Sequence, residues 1–270
     1  MHIGDSPEEA EFRALARGWL SQHAAPRTTG QTMHFDDLAE HVDECRAWQR
    51  TLHDHGWAGI SWPAAFGGRG ASPIQSAIFN EEQGNFAVAT GAFAVAIGMV
   101  GPTLIAHGTP EQQAEFLPGM LRGDHVWCQL FSEPGAGSDL ASLQCKAERD
   151  GDEFVITGQK VWCTGASVSD YIFVGAKTGD DESPSSINLF KVDRGAPGLS
   201  IGRKEEKTGA RGIPSHPLFL DDVFVPRSHC LGEEQGGFKL VMEAFNTARP
   251  LHAARGVGLA RGLGSGFAGA

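Results

Sequence analysis

The apolar residues of this chain keep one spacing up to about residue 125 and another beyond it, and that single change restricts the fold more than any other feature. Phe12, Leu15, Ala16, Trp19 and Leu20 follow the i, i+3, i+4, i+7, i+8 pattern of a helix with one buried stripe. Ser6-Pro7-Glu8-Glu9 supplies its start, a capping box with proline at the first helical position. Leu38, Val42, Cys45, Trp48 and Leu52 repeat the stripe, and Gly56 follows as a stop. Thr109-Pro110-Glu111-Gln112 opens a further helix with Phe116, Leu117, Met120 and Leu121 as its apolar face and Gly123 beyond it. Between these helices, residues 56–70 are too rich in glycine and proline to stay helical. Trp57 and Trp62 are expected to plug that ordered loop onto the bundle.

Past residue 125 the signal becomes short β-rich runs at 126–131, 154–156, 171–176, 187–192 and 218–225, separated by turn residues such as Asp150-Gly151-Asp152. Helical spacing returns from Gly237 to Leu263, with Phe238, Val241, Met242 and Phe245 on one face. We therefore expect an α+β chain in three parts: a helical domain over 1–124, an antiparallel β domain over 125–234, and the start of a second helical domain over 235–270.

Charge narrows the partners. Lys and Arg number 22 against 33 Asp and Glu, a net −11, which argues against nucleic acid and requires that any anionic ligand find a local positive site. Five scattered cysteines, Cys45, Cys128, Cys145, Cys163 and Cys230, fit neither a disulfide framework nor a metal site, and a reducing cytoplasm is the simplest setting. The histidines show no ligand spacing either, so no metal is expected. An acidic amino terminus lacks the charged-then-apolar pattern of a leader. Residues 86–106 carry no charge and are long enough to cross a bilayer, but their glycines, alanines and Pro102, without flanking anchors, predict a buried helix of a bundle.

Two segments carry chemistry. Residues 129–139 read Gln-Leu-Phe-Ser-Glu-Pro-Gly-Ala-Gly-Ser-Asp, offering hydroxyls at Ser132 and Ser138 and main-chain N–H groups at Gly135 and Gly137 that a ligand can approach closely. Residues 158–164 read Gly-Gln-Lys-Val-Trp-Cys-Thr, in which the Trp162 ring and the Thr164 hydroxyl share one face of a strand. Together they suggest a flavin site. A nicotinamide site is not expected, because Leu140 stands where that fingerprint wants glycine and the surrounding elements do not read as a βαβ unit.

This pair of segments closely resembles the acyl-CoA dehydrogenase family. So do Gly56-Trp57 with Phe66-Gly67-Gly68, Gly108-Thr109-Pro110-Glu111-Gln112, residues 221–226 and Gly236-Gly237-Phe238 leading to Arg249-Pro250. The resemblance implies a helical domain, a middle β-barrel and a C-terminal helical bundle, with FAD between the last two. It implies an α-proton removed from an acyl-CoA thioester, a β-hydride passed to the flavin, a 2-enoyl-CoA product, and electrons leaving to an electron-transfer flavoprotein. It places Gln129, where an aromatic residue is common, with Leu130, Phe131 and Ser132 beside the flavin ring. Gly137 and Ser138 fall near phosphates and the pantetheine arm. Trp162, Cys163 and Thr164 fall over the flavin, and Phe245, Asn246 and Arg249 along the acyl-CoA channel. Association into homo- or hetero-oligomers is also implied.

The chain departs from that pattern near its end. The family's base glutamate lies further along the bundle or, in a minority, just before the arginine, where this chain has Ala248, so no catalytic base is assigned. Residues 261–270 carry four glycines where an Ala/Leu-rich helix is expected. A truncated or frame-shifted product is the favoured expectation, ahead of a short subunit completed by a partner. The alternatives in function are a non-catalytic partner subunit or relic, and a flavin oxidase or monooxygenase of the same fold.

Overall fold

The computed structural model describes residues 4–27, 38–179, 183–209, 213–232, 234 and 236–246. Five helices come first: α1 (Pro7–His23), α2 (Leu38–Asp54), α3 (Pro73–Gln83), α4 (Gly101–His107) and α5 (Pro110–Arg122). Ser6 and Thr109 close the two expected capping boxes, each accepting from the N3 backbone N–H while the N3 side chain returns to the cap. Ser72 and Gln75 form a third, at the start of α3. That helix lies outside the apolar stripes read from sequence, although Ser72-Pro73-Ile74-Gln75 carries the same signature.

The uncharged stretch is only half helical. Residues 86–93 run irregularly, with Phe86 bridged to Pro26, and helix begins at Ala94, widens to a π turn over Ala96–Val100 and continues as α4. Trp62 explains part of this geometry. Its indole N–H donates to Ile97 O at 2.9 Å, and a side chain at Gly101 would overlap the ring, so glycine there lets the indole sit against the helix. Trp57 and Trp62 are both buried, as expected for a plug. Among the described residues, no helix is long and apolar enough to cross a membrane.

Glu82 on α3 is the electrostatic tie between α1 and α3. Only 2% exposed, it accepts from Arg17 Nε and Nη2, both at 2.8 Å, and from Arg13 Nη1 at 3.0 Å. The Arg17 hydrogen bonds, more than Arg13, hold its carboxyl below the ordinary value of 4.5 against the opposing pull of burial. A depressed carboxyl stabilises the fold above that ordinary value and loses the contribution as pH falls through the folded one. Glu82→Gln should therefore cost about 1.5–3 kcal/mol at neutral pH. The gap between parent and variant in urea melts should close as the pH is taken below 4.5; a gap constant with pH would refute the assignment.

The strands are β1 (Trp127–Leu130), β2 (Lys146–Asp150), β3 (Glu153–Thr164), β4 (Tyr171–Thr178), β5 (Ile187–Asp193), β6 (Leu199–Ile201), β7 (Ser215–Pro226) and β8 (Cys230–Leu231). They form one sheet in the order β6-β7-β3-β2-β4-β5-β8, with β1 also paired to β4. The middle region is sheet-rich as expected, with two refinements. The sheet is not closed, so barrel is a loose description, and β1 and β2 both run parallel to β4 while the remaining pairings are antiparallel. Strand β2, Lys-Ala-Glu-Arg-Asp, escaped the sequence reading because only Ala147 on it is buried.

Alternation along β1 joins two cores. Cys128 and Leu130 enter the core within the β unit, whereas Trp127 and Phe131 enter the one shared with the helices. The final described helix, α6 (237–246), lays Phe238, Met242 and Phe245 against the shared core. A side chain at Gly237 would press on Ile187 O and the Asn188 backbone at 2.6 and 2.7 Å, so glycine lets α6 start directly on β5.

Candidate flavin-facing site

The two motifs meet through a β-bulge. Opposite β7, Lys160 pairs with Leu218 and Cys163 with His216, so β3 carries one extra residue at Val161-Trp162. Before the bulge the even-numbered residues Phe154, Ile156 and Lys160 point inward; after it Cys163 does, and Trp162 and Thr164 are turned outward. Trp162 has φ 59° and is 61% exposed. A large ring held outward on left-handed backbone is a strained arrangement that core packing does not account for. Cys163, by contrast, is buried, and burial raises its thiol above the ordinary 9.0, so only its backbone faces the Trp162 side.

The bulge also frees a donor. Val161 N–H leaves the ladder and donates to Ser132 O at 2.9 Å, fastening the second motif to the first. Beneath that bond lies an ion pair, Lys160 Nζ to Glu133 Oε1 at 2.7 Å, with Lys160 0% and Glu133 8% exposed. Lys160 Nζ donates also to Phe131 O at 3.2 Å, while Glu133 accepts from Gln144 N at 2.6 Å and Cys145 N at 2.9 Å. Neither residue was singled out from sequence, yet a signal existed: Lys160 occupies the inward register of β3, where a charge needs a buried partner.

Glu133 and Ala136 exchange both backbone hydrogen bonds, at 2.8 and 3.1 Å, so the Pro134-Gly135 segment is a tight, exposed turn. Gly135 and Gly137 have ordinary φ values, and a side chain at either would meet nothing within 4 Å. The fold itself thus gives no reason for glycine at these two places, and room is left for close approach of a ligand. Among the described residues the N–H groups of Gly137 and Ser138 make no intrachain hydrogen bond, and both residues are exposed. Such groups suit an anion such as a phosphate.

The other expected residues divide by face. Leu130 is fully buried in the β core. Phe131 turns the other way, with ring centroids 5.8 Å from Phe173 and 5.8 Å from Phe245, so a residue of the first motif touches α6. Gln129 lies half-buried on the same face of β1 as Phe131. Asn246 is exposed at the end of α6, and Arg249, like the glycine-rich stretch 261–270, lies outside the described residues. Glu243, the carboxylate of α6, is held 2.7 Å from His107 Nε2 on α4. No group of three metal-ligating side chains occurs among the described residues. A cleft of about 920 Å³ between α5 and the β7–β8 corner, lined by Glu111, Glu115, Asp152 and Arg227, shares no residue with either motif. The candidate site is an open wall of the β unit rather than that cleft.

Comparison with known proteins identifies the family. The profile of the acyl-CoA dehydrogenase N-terminal domain matches residues 6–124, and that of the middle domain of the same family matches residues 128–223. Acyl-CoA dehydrogenase IpdE1 of Mycobacterium tuberculosis is 36% identical over 242 residues, 88% of this chain and 62% of that protein. A solved structure described as Tcur3481-Tcur3483 steroid ACAD superposes with a TM-score of 0.76 at 32% identity, covering 92% of this chain and 63% of that one. The ChsE4-ChsE5 complex from M. tuberculosis superposes with 0.75 at 29% identity, covering 92% and 61%. The chain thus spans about three fifths of the length of these relatives, and over that span it belongs to the acyl-CoA dehydrogenase family.

Proposed function

We propose that this chain contributes the flavin-facing wall of an FAD-dependent acyl-CoA dehydrogenase that converts an acyl-CoA thioester to a 2-enoyl-CoA. The observation that carries the reading is the bulge at Val161-Trp162, which turns an aromatic plate and the Thr164 hydroxyl outward together and, through Val161 N–H on Ser132 O, ties them to the segment that bears the exposed N–H groups of Gly137 and Ser138. A planar ring and a pyrophosphate fit those two surfaces. FAD supplies hydride acceptance when bound. The residues present would hold it: Trp162 and Thr164 against the ring, Gln129, Leu130, Phe131, Ser132 and the Cys163 backbone alongside, Gly137 and Ser138 toward phosphate. Ser138, Phe245, Asn246 and Arg249 would bound the acyl-CoA side, and an electron-transfer flavoprotein would accept the electrons.

A second reading, a partner subunit that completes a site with another chain, is favoured by the engagement of Glu243 with His107, which leaves α6 without a carboxylate available as a base. One similar solved structure is described as a complex of two different proteins, which is compatible with that arrangement.

The test is to add FAD to the purified chain, desalt it, and titrate the product anaerobically with acyl-CoA. Retained flavin that bleaches supports the dehydrogenase reading. Flavin that is retained, or that bleaches, only once a homologous chain is added supports the partner reading, and a chain that stays colourless after desalting both alone and with that homologue overturns both.

A further inference from the structure

Gln129 presents an anomaly within the wall just described. Its side-chain oxygen Oε1 is buried and has no hydrogen-bond partner among the described residues. A buried carbonyl deprived of water and of any donor destabilises the fold, so its persistence calls for a donor supplied from elsewhere. The residue lies between Trp127 and Phe131 on the face of β1 that turns away from the β core, next to Phe173 of β4 in register. Its surroundings on this face are apolar: Phe131 and Phe173 are 5.8 Å apart, and Phe131 reaches Phe245. An aliphatic or aromatic side chain would suit them better than a carboxamide. Three residues further along the chain, Ser132 O is fastened to the Trp162 bulge, so Gln129 adjoins the surface assigned to the ring.

We propose that Gln129 is a cofactor-recognition residue, its carboxamide pairing with the imide edge of the flavin ring: Oε1 accepts from the ring N3–H while the amide nitrogen donates to an adjacent ring carbonyl. This rests on the flavin reading above. The chemistry is specific, because an imide presents a donor flanked by acceptors and a primary carboxamide presents the complement, whereas the hydrocarbon face of an aromatic residue can offer neither. The pairing also places a dipole against the part of the ring that gains charge on reduction, so the reduction potential should respond to it.

N3-methyl-FAD, which lacks the imide hydrogen, provides the test. The full chain should bind FAD about 10-fold more tightly than the methylated cofactor, a ratio typical of one lost buried hydrogen bond. Gln129→Leu should bind the two within about 2-fold of each other, with a shifted reduction potential for bound FAD. The flavin-free Gln129→Leu chain should melt at a higher temperature than the parent, since the orphaned oxygen is gone, whereas Gln129→Glu should melt lower. A parent and a Gln129→Leu variant that discriminate equally between the cofactors would overturn the proposal while leaving the flavin reading standing. So would a Gln129→Leu chain less stable than the parent without cofactor, which would mean that a buried water bridges Oε1 to Trp127 Nε1, the other orphaned polar atom of that face. A parent chain that binds neither flavin, alone or with a homologous chain, overturns the flavin reading and this proposal together.

Discussion

Lys160→Met should destabilise the chain by about 3–5 kcal/mol, because it leaves the Glu133 carboxylate buried without its counter-ion. The size follows from burial on both sides: Lys160 is fully enclosed and Glu133 nearly so. Adding Glu133→Gln to Lys160→Met should recover about 1–2 kcal/mol, since a neutral amide removes the uncompensated charge and its one oxygen still accepts from one of the two backbone N–H groups, Gln144 or Cys145, that the carboxylate holds on separate oxygens. Glu133→Leu should not recover it, as both N–H groups would then be orphaned. Flavin retention should fall in step, because the pair sits directly beneath the Val161–Ser132 bond that fastens the two motifs. Urea denaturation of the four proteins measures the energies. A Lys160→Met cost below about 1 kcal/mol would show that the pair is not what holds the wall together.

Local chemistry decided what was legible beforehand. Capping boxes at Ser6 and Thr109 announce their helices because the signal lies wholly within four residues. The box at Ser72 was equally local, and α3 went unread because its apolar face, Ile78 and Phe79, is too short to display a period. Strand positions were visible where β-branched and aromatic residues cluster, and invisible in β2, which joins the sheet through its backbone and Ala147. The parallel pairing of β1 with β4 brings Gln129 beside Phe173 across more than forty residues, and no short-range pattern encodes it. The site followed the same rule. That Trp162 and Thr164 share a face could be read from strand periodicity, but whether that face is inside or outside depends on the bulge. Continued alternation from Phe154, Ile156 and Lys160 would have buried the ring. The bulge owes its position to a hydrogen bond with Ser132, a residue of the other motif.

That dependence lets ring and backbone be separated at Trp162, where two effects of opposite sense coincide. Its φ of 59° is conformational space that glycine enters freely and alanine does not, a difference of about 1 kcal/mol. Without cofactor, Trp162→Gly should therefore be more stable than Trp162→Ala by about that amount, and because the ring is already 61% exposed, neither should fall far below the parent. Flavin binding should not follow this order. Losing an aromatic plate from a stacked ligand costs about 1.5–3 kcal/mol, roughly 10- to 100-fold in affinity, and glycine and alanine lose it alike. Trp162→Phe should keep most of the affinity. Thermal melts of the flavin-free proteins and fluorescence titrations with FAD give the two orderings independently. Should the glycine and alanine variants bind FAD as the parent does, the outward ring would not be a flavin plate. Should alanine match glycine in stability, the strain would not be real. If both orderings hold, the bulge carries a local backbone strain whether or not a ligand is bound, and the stacking of a planar ligand on the ring it presents offsets that strain.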